Sequence, residues 1–245
     1  MDLDFPSPHL GQISTPWTLL RLAHADSEAS GDAKRLLVQR YGGAVYRYLL
    51  GALRDEQAAL ELFQEFALRF LRGDLHRADA EAGRFRDYLR GALIHIVTDY
   101  YRQRRAQPQP LPADIAEWAE QPAEGLDSEV SFLQRWREEL VNRAWQSLEQ
   151  ANPMYHAVLV FHIENPDTSA PRMAESLARR LQKPFSAGQV RVSLHRARAK
   201  FAELLLDEVA LSLDECTEAQ LVQELRDLRL LQLCSAALAR RKSSG

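Results

Sequence analysis

Along residues 32–49 the apolar side chains Leu36, Leu37, Tyr41, Ala44, Val45, Tyr48 and Leu49 recur at helical intervals, the spacing that lines one face of a helix. The interval returns at Ala59, Leu62, Phe63, Phe66 and Phe70, and again at Val190, Leu194, Ala197 and Phe201. No stretch alternates with period two for long enough to argue a strand. A chain patterned this way can bury its apolar surface only by packing helix on helix, so the expected class is all-α. Leu, Ala and Arg outweigh β-branched residues and Gly, which favours the same outcome.

The pattern divides the chain into segments. Pro16 suits the first position of a helix capped by Thr15. A second helix runs from about Asp32, a third from about Asp55, and a fourth over "FRDYLRGALIHIVTDYYRQRR" after the loop "DLHRADAEAGR". From Ala106 to Ser128, "AQPQPLPADIAEWAEQPAEGLDS" is rich in Pro and acid and reads as a flexible linker, with Trp118 as its one large anchor. Helical pattern resumes at "VSFLQRWREELVNRAWQSLEQ", stops at Asn152-Pro153, and continues through "MYHAVLVFHIE", "RMAESLARRL" and a long segment from Ser186. The tail from Thr217 carries Leu221, Leu225, Leu228 and Leu231 as the stripe of one amphipathic helix, expected to pack on the second module. Two small helical domains follow, at 14–105 and 129–205, joined by the linker 106–128 and followed by an extension over 206–245.

Charge is segregated although the formal net charge is only −3. From Lys34 to Arg105 there are 14 basic and 9 acidic residues, and from Arg172 to Lys200 eight basic residues face Glu175 alone. Between them the linker and its flank are acidic. Two basic modules around an acidic connector suit contact with a polyanion.

In the second module, Ser186 and Gln189 form a capping-box start. With Val190, Leu194, Ala197 and Phe201 buried, Gln189, Arg191, Val192, His195, Arg196 and Arg198 turn to the sides and outer face, with Lys200 beyond them. Met173, Leu177 and Leu181 supply the facing stripe of the preceding helix. Two short helices joined by a tight turn, the second basic outside, make a helix-turn-helix whose second helix enters the major groove N-terminus first. Guanidinium groups suit both phosphates and guanine edges.

These segments resemble bacterial sigma factors of the extracytoplasmic-function (ECF) type. "VRVSLHRARAKF" resembles the end of their fourth domain, which binds the minus-thirty-five element of promoter DNA, implying contacts from Gln189, Arg191, Val192, His195, Arg196, Arg198 and Lys200. "ALELFQEFALRFL" resembles the helix of their second domain that grips core RNA polymerase, implying Glu61, Leu62, Gln64, Glu65, Leu68 and Arg69. "GRFRDYLRGALIHIVTDYYRQRR" resembles the segment that melts and reads the minus-ten element. That implies Arg84, Phe85, Arg86, Tyr88 and Arg90, then His95 and Asp99 at the base-reading position, then Arg102, Arg104 and Arg105. Aromatic faces that stack on unpaired bases, among arginines that track phosphates, are what a melted strand requires; Tyr100 and Tyr101 add to that set. "TPWTLL" and the leucine-rich tail resemble a subgroup with a Thr-x-Trp start and a C-terminal extension. Ala59 and Leu60 stand where relatives often carry further acids, a departure that bears on the strength of core binding.

The resemblance implies promoter-specific initiation, with all catalysis supplied by the polymerase and no cofactor. Expected partners are core RNA polymerase, promoter DNA and a regulator, whether an anti-sigma factor, a kinase or the tail itself. Two rivals remain: a helix-turn-helix regulator of duplex operators, and a sigma-like adaptor without initiation activity. No catalytic constellation stands out, and His156 and His162 lack metal-ligand company. Cys216 and Cys234 are too few for a disulfide framework. "MDLDFPSPHLGQ" lacks the basic and apolar regions of a signal peptide, and no apolar run approaches membrane length, so a cytoplasmic protein without membrane contact is expected.

Overall fold

The computed structural model describes residues 16–25, 27–73, 84–106, 129–182, 184–213 and 216–244. Ten helices and no strand occur among them. They are α1 (Pro16–His24), α2 (Ser30–Leu53), α3 (Glu56–Arg72), α4 (Phe85–Ala106), α5 (Glu129–Ala151), α6 (Pro153–Glu164), α7 (Ala170–Leu181), α8 (Ala187–Ala210), α9 (Glu218–Asp227) and α10 (Leu231–Ser244). The cap expected at Thr15, the loop at 74–83, and the linker with Trp118 lie outside the described residues. No described helix is long and apolar enough to cross a membrane.

The chain forms two compact units, and the division falls inside α5, after Arg137. The first unit holds α1–α4 and the start of α5, with Leu211–Cys216. Asp55 caps α3 by accepting from the Ala58 backbone N–H at 3.1 Å. α3 then buries Ala58, Ala59, Leu62, Phe66 and Phe70 against the stripe of α2 that includes Leu37, Tyr41 and Leu49. The two helices approach closely at Gly42, where a Cβ would lie 3.3 Å from the Phe63 ring. Gly73 ends α3 in a left-handed turn (φ 80°), its N–H donating to the carbonyls of Arg69 and Phe70. His24 holds α1 to the same end, with Nε2 donating to the Phe70 carbonyl at 2.8 Å.

The centre of this unit is aromatic. Trp17 meets Phe85 edge-on at 5.4 Å, and Tyr41 packs on Phe85 at 4.8 Å. Two residues from beyond the linker complete it. Trp136 stacks on Tyr41, with centroids 5.5 Å apart and planes 6° from parallel, and Phe132 meets Tyr48 at 5.6 Å. The sequence pattern groups residue 129 onward with the second module, yet these α5 side chains fill the core of the first.

The second unit holds the rest of α5, α6–α8, and α9–α10. α7 ends where Gln182 adopts φ 51° and its N–H donates to the Ala178 carbonyl. α8 opens with the expected reciprocal cap: the Gln189 N–H donates to Ser186 Oγ at 3.2 Å, and the Ser186 N–H donates to Gln189 Oε1 at 2.8 Å. Val158, Met173, Ala174, Leu177 and Val190 form the small core that fixes the angle between α7 and α8, with Phe161, Phe185 and Leu194 around it. Farther along α8, Trp145 packs on Phe201 at 4.6 Å, and Arg143 pairs with Glu208 at 3.3 Å.

The tail is not one helix. It begins at Thr217 with its own capping box to Gln220, and it breaks after Leu228, where Arg229 takes φ 56°. With the break in place, Leu228 and Leu230 are both buried although they stand only two residues apart. Leu221, Leu225, Leu228, Leu230, Cys234, Ala237 and Leu238 are buried, while Leu231 of the expected stripe is only half-buried. α10 packs along α8.

Candidate nucleic-acid interface

On α8 the outer residues stand as the periodicity requires. Arg191, Val192, His195, Arg196 and Arg198 are exposed, and Lys200 is half-buried. Among the described residues, no acid pairs with Arg191 or Arg196. Val192, 50 % exposed, puts an apolar surface between these cations, suited to a thymine methyl group. Three of the sequence-derived contacts are engaged elsewhere. The Gln189 carbonyl serves the cap, Arg198 donates from Nη2 to His162 Nε2 at 2.6 Å, and Lys200 lies 3.9 Å from Glu203. Arg172, Arg179 and Arg180 of α7 are exposed as well, so the helix pair offers cations from both members.

In the first unit, α4 separates its aromatics from its cations. Phe85 and Arg86 are buried, and burial pushes the Tyr88 hydroxyl up to about 12. Phe85 and Arg86 belong to the core, while Tyr88 is half-buried with its ring against Trp17 and Phe85. Arg84 and Arg90 are half-buried. The accessible part is the second half of the helix. His95 is exposed, Asp99 pairs with Arg102 at 3.1 Å, and Arg104 donates to the Tyr100 hydroxyl at 3.1 Å. Tyr100 and Tyr101 meet edge-on at 5.4 Å, and burial raises the Tyr101 hydroxyl, with a smaller push from Tyr100. Two aromatic rings stand among Arg102, Arg104 and Arg105 at this end, with the Tyr101 hydroxyl donating to the Ala52 carbonyl at 3.3 Å; stacking faces beside cations are the chemistry an unpaired strand requires.

α3 presents a different surface. Leu60, Gln64 and Leu68 are exposed at i, i+4 and i+8, with Glu61 beside them. Glu65 and Arg69 pair with each other along the same side. Leu62, drawn from the sequence as a contact residue, is buried and belongs to the core. Ala59 is fully buried too, so an acid there would be buried with it; the outward departure is Leu60 alone. A strip with two leucines ringed by polar groups is an interface pattern, an apolar centre with a polar rim.

Residues 37–107 match the family model for Sigma-70 region 2. No curated protein and no solved structure matches the chain. A Sigma-70 region 2 segment implies a part in promoter recognition and in binding RNA polymerase. The match covers less than a third of the chain, from Leu37 in α2 to just past the end of α4. Both the α3 strip and the basic end of α4 lie inside the matched segment; the second unit stands on its own geometry.

Some residues at these surfaces escape sequence reasoning. His162 reaches Arg198 across 36 positions, a distance no local pattern spans. Arg240 and Arg241 sit in an "ARRK" run whose target, the acids of α8, is set by tertiary packing. Among the described residues, no group of three His, Cys, Asp or Glu side chains is placed to hold a metal.

Proposed function

We propose that the protein is a sigma factor of the ECF type that binds core RNA polymerase and directs promoter-specific initiation. The Sigma-70 region 2 match over residues 37–107 carries the proposal. In this reading the Leu60–Gln64–Leu68 strip of α3, with Glu61, Glu65 and Arg69, takes the polymerase. The Arg102–Arg105 end of α4, with His95 and Asp99, holds the opened minus-ten strand. α8, entering a major groove with Arg191, Val192, His195 and Arg196, reads the minus-thirty-five element; the absence, among the described residues, of paired acids at Arg191 and Arg196 supports that role. Melting needs no chemistry from this chain, only a surface that binds the separated strand better than the duplex. The acidic linker joins the two DNA-binding parts, and an anti-sigma factor, a kinase or the tail supplies regulation.

The test is run-off transcription with purified core polymerase and a library of genomic fragments. Specific starts are expected only when the protein is present. Gln64→Ala should weaken co-purification with core, and Arg196→Ala should abolish discrete starts while leaving core binding intact. Duplex binding without any affinity for core polymerase would instead favour a helix-turn-helix regulator. Core binding without starts on any fragment would favour the adaptor.

A further inference from the structure

The exposed stripe of α8 does not end with its cations. Val192, Arg196, Lys200, Glu203 and Asp207 recur at i, i+4, i+8, i+11 and i+15, so one face runs from a basic half directly into two acids. Two carboxylates on the line of a DNA-facing helix would repel the phosphate backbone and draw Lys200 away from it. The tail meets both. Arg240 lies 3.1 Å from Glu203, Arg241 lies 3.5 Å from Asp207, and Lys242 pairs with Glu218 at the start of α9. Burial, with a smaller push from Glu203, raises the Asp207 carboxyl above its ordinary value, and Arg241 and Lys200 offset only part of that. The residues that face the major groove in the proposed reading, Arg191, Val192, His195 and Arg196, stay exposed with the tail in place. The tail therefore does not cover them.

We propose that the last turn of α10 belongs to the DNA-binding surface: Arg240 and Arg241 neutralise Glu203 and Asp207, so that the stretch of α8 past Lys200 no longer repels duplex phosphates. The neutralised stretch, from Lys200 to Asp207, is about two helical turns long. Its partner is the sugar-phosphate backbone beside the groove, which is bound without regard to base sequence. The inference rests on the reading of α8 as a duplex-binding helix. Isolated surface pairs of this kind contribute little to folding stability, and their effect on the local field is felt by a polyanion nearby.

The experiment measures binding of the full chain to a non-specific DNA duplex by anisotropy across a salt series. The wild type is compared with Arg240→Gln/Arg241→Gln, the same variant carrying Glu203→Gln/Asp207→Asn, and Arg196→Ala. At 0.1 M salt, where charges within about 10 Å still interact, the tail variant should bind roughly three- to tenfold more weakly. Neutralising the two acids in that background should restore most of the loss. Circular dichroism should show the same helix content and melting for all. Unchanged affinity in the tail variant, or a loss that the acid substitutions leave unrestored, would overturn the inference. If Arg196→Ala has no effect and the wild type itself fails to bind duplex, the reading of α8 falls instead.

Discussion

Replacing Trp136 by Ala tests whether the start of α5 completes the first unit. The indole is 2 % exposed, stacked on Tyr41 and 6.0 Å from Phe132. Removing a buried Trp side chain costs about 3–5 kcal/mol in lost transfer energy and cavity. The stack with Tyr41 contributes about 0.5–1.5 kcal/mol within that range. For a unit of this size each kcal/mol moves the transition by about 2–4 °C, so the first unit should melt more than ~6 °C lower. Urea unfolding of the full chain, followed by near-ultraviolet circular dichroism, reads the change as a shift in midpoint. Trp136→Phe is the control: the indole N–H has no hydrogen-bond partner among the described residues, so a benzyl ring should retain the stack at a cost below about 1.5 kcal/mol. A loss under about 1 kcal/mol for Trp136→Ala would refute the packing and make Tyr41 and Tyr48 self-sufficient.

Ser186→Ala removes the hydroxyl half of the reciprocal cap and should destabilise the second unit by about 1 kcal/mol, measured by urea midpoint, while Ser186→Asp should retain most of it. Cys234 is fully buried and its thiol is pushed up to about 11, so iodoacetamide at pH 8 should modify exposed Cys216 alone in the native protein and both cysteines after denaturation. Because the folded thiol holds its proton above the ordinary value of 9.0, the stability this group contributes is fully present below pH 9 and lost as pH rises through about 11; Cys234→Ala should flatten that part of the pH profile.

Much of this fold is legible in the sequence because the helices are amphipathic and their caps are local. Asp55, Asn152, Ser186 with Gln189, and Thr217 with Gln220 all act within three residues of themselves, and each marks a helix start in the structure. The break in the tail is not legible in this way. "RDLRLLQL" has neither Gly nor Pro, and Arg229 takes a left-handed conformation because burying both Leu228 and Leu230 outweighs its modest backbone cost. The placement of Phe132 and Trp136 is equally hidden, since a stripe announces that it will be buried but not against what.

The candidate site shows the same limit from another side. Composition shows that α4 carries aromatics and arginines together, and only packing separates Phe85 and Arg86, which build the core, from Arg102 and Arg104, which meet solvent. Leu62 is the sharpest case. It sits between two residues of the outward strip in sequence, and 100° per residue is enough to turn it inward.

α3 in effect carries two texts on one helix. Ala58, Ala59, Leu62, Phe66 and Phe70 are read by the interior, while Leu60, Gln64 and Leu68 are read by whatever docks outside. The two sets share no position, so drift in one leaves the other intact. A lineage can retune how strongly this helix holds its partner, or trade leucine for charge at 60 or 68, without renegotiating the fold.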